Sequence, residues 1–273
     1  MKIDVLGVKI NTDTKNTIIF LIKKLLSEGK SIFIVTPYSE MIVRAQSDRG
    51  FRDVLNSATF ALPDGIGVLW AAHFLTPSLK LREGRGELWF WKLITTLLSI
   101  IFNPKSIRDP IPEKISGSDF VWDLAKLAAD RGYSVFLLGG FDDTPDLAAE
   151  KLKIKFPALK IAGISSPPNE EGVGEVVVEK INSAKPDFLF VALGPVRQEK
   201  WIHENLPKLN VKLAIGLGGT LDYLANKSML APQIWRTIGL EWLWRLLTQP
   251  WRLLRISKGV LGLIYYSLKY RLK

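Results

Sequence analysis

The strongest constraint in this sequence is a set of short apolar runs that stop at glycine or proline and alternate with helical patterns. Residues 31–35 (SIFIV) break at Thr36 and Pro37, and residues 58–62 (ATFAL) break at Pro63, Asp64 and Gly65. The runs 134–140 (SVFLLGG), 187–194 (DFLFVALG) and 212–219 (KLAIGLGG) each end in glycine. Helical patterns begin near Ser39 and cover 67–74, 118–131, 145–155, 172–183 and 197–205. Uninterrupted apolar runs of strand length suit a sheet covered on both faces, and intervening helices make its strands parallel. The expected fold class is therefore α/β, a Rossmann-like parallel sheet with helices on both faces. The DDTP at 142–145 predicts a helix start with an acidic or Thr cap and Pro145 in the first turn.

Two segments break the alternation. Residues 79–112 carry the apolar stretch LWFWKLITTLLSIIF (88–102), and residues 232–273 are helical without a strand partner. The expected organisation is a core over 1–231, with an apolar insertion at 79–112, and a C-terminal helical appendage over 232–273. Residues 236–273 hold eight Lys or Arg against Glu241 alone, so they carry seven of the ten net positive charges. Trp235, Trp242, Trp244 and Trp251 lie at or just before this stretch. Cations set among leucine and tryptophan predict an anionic membrane surface, whereas a nucleic-acid partner calls for a polar basic face. As a helix, 88–102 reaches roughly 23 Å at about 1.5 Å per residue, short of a ~30 Å hydrocarbon core. It is expected to lie in or against the bilayer without crossing it; a core helix or an oligomer contact is the alternative. The N-terminus does not read as a signal peptide, so peripheral attachment at the cytoplasmic face is expected. Cysteine is absent and His73 and His203 are the two histidines, which excludes disulfides and thiolate metal sites and argues against a histidine-rich one. No metal and no cofactor are expected.

In open parallel sheets, ligands bind beyond the carboxyl ends of the strands. The polar and glycine residues there are Thr36, Asp64, Gly139, Gly140, Gly194, Gln198, Gly218 and Gly219. Asp64 can serve as a general base for a hydroxyl; Pro-Asp-Gly is equally an ordinary turn. The glycine endings can cradle phosphates, though any parallel sheet has such glycines. No GxGxxG fingerprint opens a helix, which counts against a nicotinamide- or flavin-dependent oxidoreductase. Gln198, Glu199 and Trp201 open a helix after GPVR and can simply cap it. Asp222 can take a ribose hydroxyl or cap a helix. No DxD follows an apolar strand, so cationic side chains would have to neutralise a diphosphate leaving group.

Taken in order, the segments TPYSEMIVRA (36–45), LPDGIGV (62–68), KISGSDF (114–120), FLLGG, FPALKIAG, INSAKPDFLFVALGPVRQEKW, AIGLGGTLDYLAN and APQIWRTIGLEWLWRLLTQPWRLLR resemble the WecG/TagA/CpsF glycosyltransferase family. The likeness covers about residues 1–257, apart from 79–112. It implies a metal-independent, inverting transferase. Such enzymes move an N-acetylmannosamine-type sugar from a UDP donor to a polyprenyl-diphosphate-linked acceptor, in teichoic acid or other cell-envelope polysaccharide synthesis. By resemblance, Asp64 matches the catalytic base, Thr36 a neighbouring active-site threonine and Gln198 the glutamine of a PKQE motif. Arg245, Arg252 and Arg255 match tail arginines that complete the site over the diphosphate. Gly140, Gly194 and Asp222 match positions near the nucleotide, with Tyr38, Gly65, Lys114, Gly139 and Gly218 beside them as substrate contacts. The family pattern also allows a homo-oligomer. Tyr38 replaces a usual asparagine, Lys114 an arginine, Leu230 the arginine of RAP and Asn226 a common glycine. These departures motivate a second reading, a catalytically altered nucleotide-sugar-binding relative that acts as a membrane assembly partner.

Overall fold

The computed structural model describes residues 1–76, 87–166, 174–232, 235, 241–248 and 253–271. The chain opens with an antiparallel hairpin, β1 (Lys2–Val5) and β2 (Val8–Asn11), paired from Lys2↔Asn11 to Val5↔Val8. Its two-residue turn has Leu6 and Gly7 both at positive φ, the conformation whose twist matches a tight hairpin. Helix α1 (Lys15–Ser27) follows, capped by the Thr14 side chain, which accepts from Thr17 N–H.

A six-stranded sheet forms the centre: β3 (Ile32–Val35), β4 (Phe60–Ala61), β5 (Ser134–Gly139), β6 (Lys160–Ser165), β7 (Phe188–Ala192) and β8 (Leu213–Gly216). Its order is β4-β3-β8-β7-β5-β6, and every pairing is parallel. Alternation of side chains along a strand divides the core between the two faces. Ile32, Ile34, Phe188, Phe190, Leu213 and Ile215 belong to one cluster, and Phe33, Val35, Leu189, Val191 and Ala214 to the other. Each of these side chains larger than alanine, fully buried, stabilises the fold by about 1.5–3 kcal/mol before entropy is counted. The helices that cover the sheet are α2 (Ser39–Ser47), α3 (Arg49–Ser57), α4 (Ile66–Leu75), α6 (Gly117–Arg131), α7 (Thr144–Lys155), α8 (Glu175–Ala184), α9 (Arg197–Asn205) and α10 (Thr220–Leu224). The expected α/β class is thus observed. At α7 the expected start is observed, with Asp143 at the N-cap position and Pro145 in the first turn; the Asp143 side chain makes no capping hydrogen bond and its carboxylate meets the Lys227 ammonium instead.

Three further helices hold the stretches outside the strand–helix rhythm: α5 (Glu87–Phe102), α11 (Glu241–Thr248) and α12 (Leu253–Arg271). Helix α5 lies on α4, where Trp70 Nε1 donates to Thr96 Oγ1 at 3.1 Å. It leaves Trp91, Leu98 and Phe102 exposed. Helix α12 crosses α2 and α4 and buries Leu263 in the core. Two glycines permit that crossing. A side chain at Gly262 would stand 2.9 Å from Val43 Cγ1, and one at Gly259 would stand 3.4 Å from the Glu40 backbone nitrogen. At the C-terminus of α4, Lys92 Nζ and an Arg271 guanidinium nitrogen both donate to the Thr76 carbonyl, at 3.3 and 3.1 Å. Partial burial, with Arg271 nearby, lowers the Lys92 pKa to about 8. Among the described residues, no helix is long and apolar enough to cross a membrane.

Candidate active site

The carboxyl ends of β3 and β4 deliver Thr36 and Asp64 side by side, and backbone hydrogen bonds fasten their loops together. Leu62 N–H donates to the Val35 carbonyl at 2.8 Å, and Asp64 N–H donates to the Pro37 carbonyl at 2.9 Å. A third loop joins them, since Ile115 N–H donates to the Pro63 carbonyl at 2.9 Å. Asp64 is followed by Gly65 at φ +96, a conformation that costs a side-chain-bearing residue strain, and α4 begins immediately after it. The Asp64 carboxylate is thereby carried on a turn between two rigid elements, partly open to solvent.

The loop that bonds Pro63 leads into α6. Its Ser116, Gly117 and Ser118 are buried, and Ser116 Oγ donates to an Asp119 carboxylate oxygen at 2.8 Å. A Cβ at Gly117 would lie 3.6 Å from Thr36 Oγ1 and 3.8 Å from Thr220 Oγ1. The N-terminus of a fifteen-residue helix therefore faces Thr36 and Thr220, with backbone N–H groups and the positive end of the helix dipole directed there. Lys114, one turn before this helix, makes a 2.8 Å ion pair with Glu241 of α11, and both side chains are largely buried. That pair fastens the C-terminal stretch to the loop next to Asp64.

The middle of the sheet contributes a polar lock. Glu199 is wholly buried in the first turn of α9. One carboxylate oxygen accepts from Val196 N–H at 2.7 Å, and the other accepts from Gln198 Nε2 at 2.6 Å. Gln198 in turn accepts from Gly218 N–H at 2.8 Å through its own carbonyl. The Glu199 bond holds Val196 at φ 72, ψ −49, a β-branched residue in the left-handed region and a genuine outlier. Gly216 has to lack a side chain, because a Cβ there would stand 2.7 Å from Gln198 Nε2 and 2.8 Å from Glu199 Oε1. Burial pushes the Glu199 carboxyl up to about 7, against the pull of the hydrogen bonds it accepts from Gln198 and Val196.

The sequence-predicted residues distribute along this edge as follows. Thr36, Asp64, Gly65 and Lys114 meet at the β3–β4 end, and Tyr38 lies just before α2. Gly194, Gln198 and Gly218 gather beyond β7 and β8. Gly139 and Gly140 end β5 at positive φ, and Gly140 N–H donates to the Ala192 carbonyl at 3.1 Å. At Gly139 a Cβ would stand 2.6 Å from the Ala192 carbonyl carbon, so the close approach of β5 and β7 requires glycine. Gly219 precedes α10, and Asp222 lies in its first turn, with its backbone carbonyl accepting from Lys227 N–H at 2.9 Å. The side chains of Arg245 and Arg255, and all of Arg252, lie outside the described residues. Sequence reading did not select Ser116, Gly117, Ser118, Thr220 or the lock function of Glu199. The SGS before a helix was a usable signal for the first three, whereas nothing local marks Thr220.

The family model described as glycosyl transferase WecG/TagA/CpsF family matches residues 3–95 and 99–273. The chain belongs to this family. The match takes in 79–95 and 99–112, the stretch set apart above as an insertion. An N-acetylglucosaminyldiphosphoundecaprenol N-acetyl-beta-D-mannosaminyltransferase of Staphylococcus aureus (strain MRSA252) is 27% identical over 276 aligned residues, covering 100% of this chain and 94% of the relative. A protein of the same name from Bacillus subtilis (strain 168) is 29% identical over 243 residues, 89% of this chain and 82% of the relative. The chain is a glycosyltransferase of this family, and the edge just described is where an open parallel sheet places its ligands.

Proposed function

We propose that this glycosyltransferase moves an N-acetylmannosamine-type sugar from a UDP donor to a polyprenyl-diphosphate-linked N-acetylglucosamine. The reading rests on one observation above the others: the glycine-hinged turn that carries Asp64 is tied by backbone hydrogen bonds to both neighbouring loops, Asp64 N–H to the Pro37 carbonyl and the Pro63 carbonyl to Ile115 N–H in the loop that opens α6. In this scheme the Asp64 carboxylate takes the proton of the acceptor hydroxyl as its oxygen attacks the anomeric carbon from the face opposite the leaving group. The new C–O bond forms as the bond from that carbon to the β-phosphate oxygen breaks, so the configuration inverts and UDP leaves. The N–H groups at the start of α6 offer fixed positive ends for the developing charge, and Arg245, Arg252 and Arg255 supply cations from the tail. The nucleotide is assigned to the Gly139–Gly140, Gly194 and Gly218 endings, with Asp222 for a ribose hydroxyl.

The acceptor is lipid-linked, so the enzyme has to work at a membrane surface, and the cytoplasmic face is where a nucleotide sugar is available. Helices α5 and α12 carry exposed Trp91, Phe102, Leu254, Leu261, Tyr265 and Tyr270, and the C-terminal stretch holds most of the net positive charge. That pairing of apolar surface with cations supports peripheral attachment to anionic lipid. The reaction is assigned no metal, because no DxD follows an apolar strand. The decisive assay mixes the protein with UDP-N-acetylmannosamine and a polyprenyl-diphosphate N-acetylglucosamine in excess EDTA. UDP release and a disaccharide-lipid product are expected. Release that requires added magnesium or manganese would overturn the metal-free mechanism, and no product with any metal would favour the assembly-partner reading.

A further inference from the structure

Beside the site, between α2, α12 and the Gly194–Val196 turn, runs an open cleft of about 630 Å3. Tyr38, Met41, Val43, Val196, Leu254 and Tyr266 give it apolar walls, and Arg44 and Lys258 stand among them as cations. We propose that this cleft receives the first isoprenoid units of a polyprenyl diphosphate, with the diphosphate at the inner end, toward Tyr38 and Lys258. The inference rests on the transferase reading above and adds the place where the lipid part of the acceptor is held.

Four features carry it. The inner end opens on the site: Tyr38 follows the Pro37 carbonyl that binds Asp64 N–H, and Val196 is the strained residue fixed by Glu199. On α12, Leu254 of the cleft wall is 72% exposed and Leu261, outside the lining, is 65% exposed, so apolar surface continues beyond the cleft toward the face assigned to the membrane. The lining also fits a ligand that is apolar along its body and polyanionic at one end. Glu40 is the one carboxylate in the lining, and its oxygen lies 3.5 Å from the Tyr38 hydroxyl. A nucleotide would instead demand hydrogen-bonding groups along its base and ribose. Finally, the volume falls within the roughly 300–1,000 Å3 of small-molecule clefts. Gly259 and Gly262 set its depth, since larger residues there would lift α12 away from α2.

The test compares direct binding of farnesyl diphosphate and inorganic diphosphate to the full chain by calorimetry, below the micellar concentration of the lipid. Farnesyl diphosphate is expected to bind about tenfold tighter or more, because burying even two or three of its methylene-sized groups suffices. Leu254→Glu and Ser47→Trp, at an exposed wall position and an exposed position of the lining, should bring the two affinities together while UDP binding stays as in the parent. Equal affinities in the parent, or a preference that survives in either variant that keeps UDP binding, would overturn the proposal. A variant that loses UDP binding is misfolded, and Leu254→Ser then replaces it. The readout does not depend on turnover. A farnesyl preference without sugar transfer would therefore break the transferase reading alone, and transfer without the preference would break the cleft alone.

Discussion

The sheet edge and helix α12 bury polar and apolar groups in opposite ways. At the edge, Glu199, Gln198 and Ser116 are almost entirely removed from solvent, yet each has a hydrogen-bond partner. Along α12, Leu263 is 2% exposed in the core while Leu261, two residues earlier, is 65% exposed. Buried polar groups that are fully satisfied rigidify their surroundings and set one arrangement. A helix that buries one apolar face and leaves another in water is complete only against a second apolar surface. The first region is therefore arranged in advance for chemistry, and the second presents a face suited to meeting something outside the chain.

The largest effect that can test this division is on α12 itself. Leu263→Ala removes a side chain buried in the core and should cost about 2–5 kcal/mol in urea unfolding. A loss below about 0.5 kcal/mol would mean that α12 does not belong to the core.

The buried carboxyl of Glu199 should show itself in pH dependence. Its value in the folded protein is about 7 against an ordinary 4.5, so the folded state holds a proton that the unfolded chain has released between those limits. Stability must then fall as pH rises from about 4.5 to 7, by about 3–4 kcal/mol at most. Asp48, held down first by the Phe51 N–H, titrates below this window. Glu199→Gln should flatten the slope of the thermal midpoint across it. The same variant keeps an acceptor for one of its two donors, so it should also lower kcat more than it raises KM, through misplacement of Gln198. An unchanged slope would show that burial does not govern this group.

The smallest stability effect belongs to the exposed face. Leu261→Ser should leave unfolding within about 0.5 kcal/mol of the parent and weaken binding to anionic vesicles severalfold in a flotation assay. Unchanged vesicle binding, together with unchanged binding in Leu254→Ser, would sharpen the alternative that this face meets a second copy of the chain.

Much of the fold was legible because five of the six sheet strands are continuous apolar runs with a hard stop. The strand β6 was not, since Lys160–Ser165 is half exposed at the sheet edge and contains Gly163, whose missing side chain makes room for the Phe136 ring. The opening hairpin was hidden because Leu6 and Gly7 do not form one of the common Asn-Gly or Asp-Gly turns. Helices α1 and α3 have regular apolar spacing but no strand-like break before them that would have singled them out. At the site, Asp64, Thr36 and Gln198 were legible from their positions after apolar runs. Thr220 was not, because only the folding of β8 beside β3 brings it near Thr36. The tail carries both a buried and an exposed apolar face, and composition alone cannot distinguish Leu263 from Leu261.

The central claim is that Asp64 is the base of a sugar transfer at the β3–β4 edge. It is tested most directly by single-turnover transfer from UDP-N-acetylmannosamine to the lipid-linked acceptor with Asp64→Asn. The account predicts a rate lower by about 10²–10⁴-fold, with UDP affinity and thermal midpoint as in the parent. A rate within twofold of the parent would contradict it.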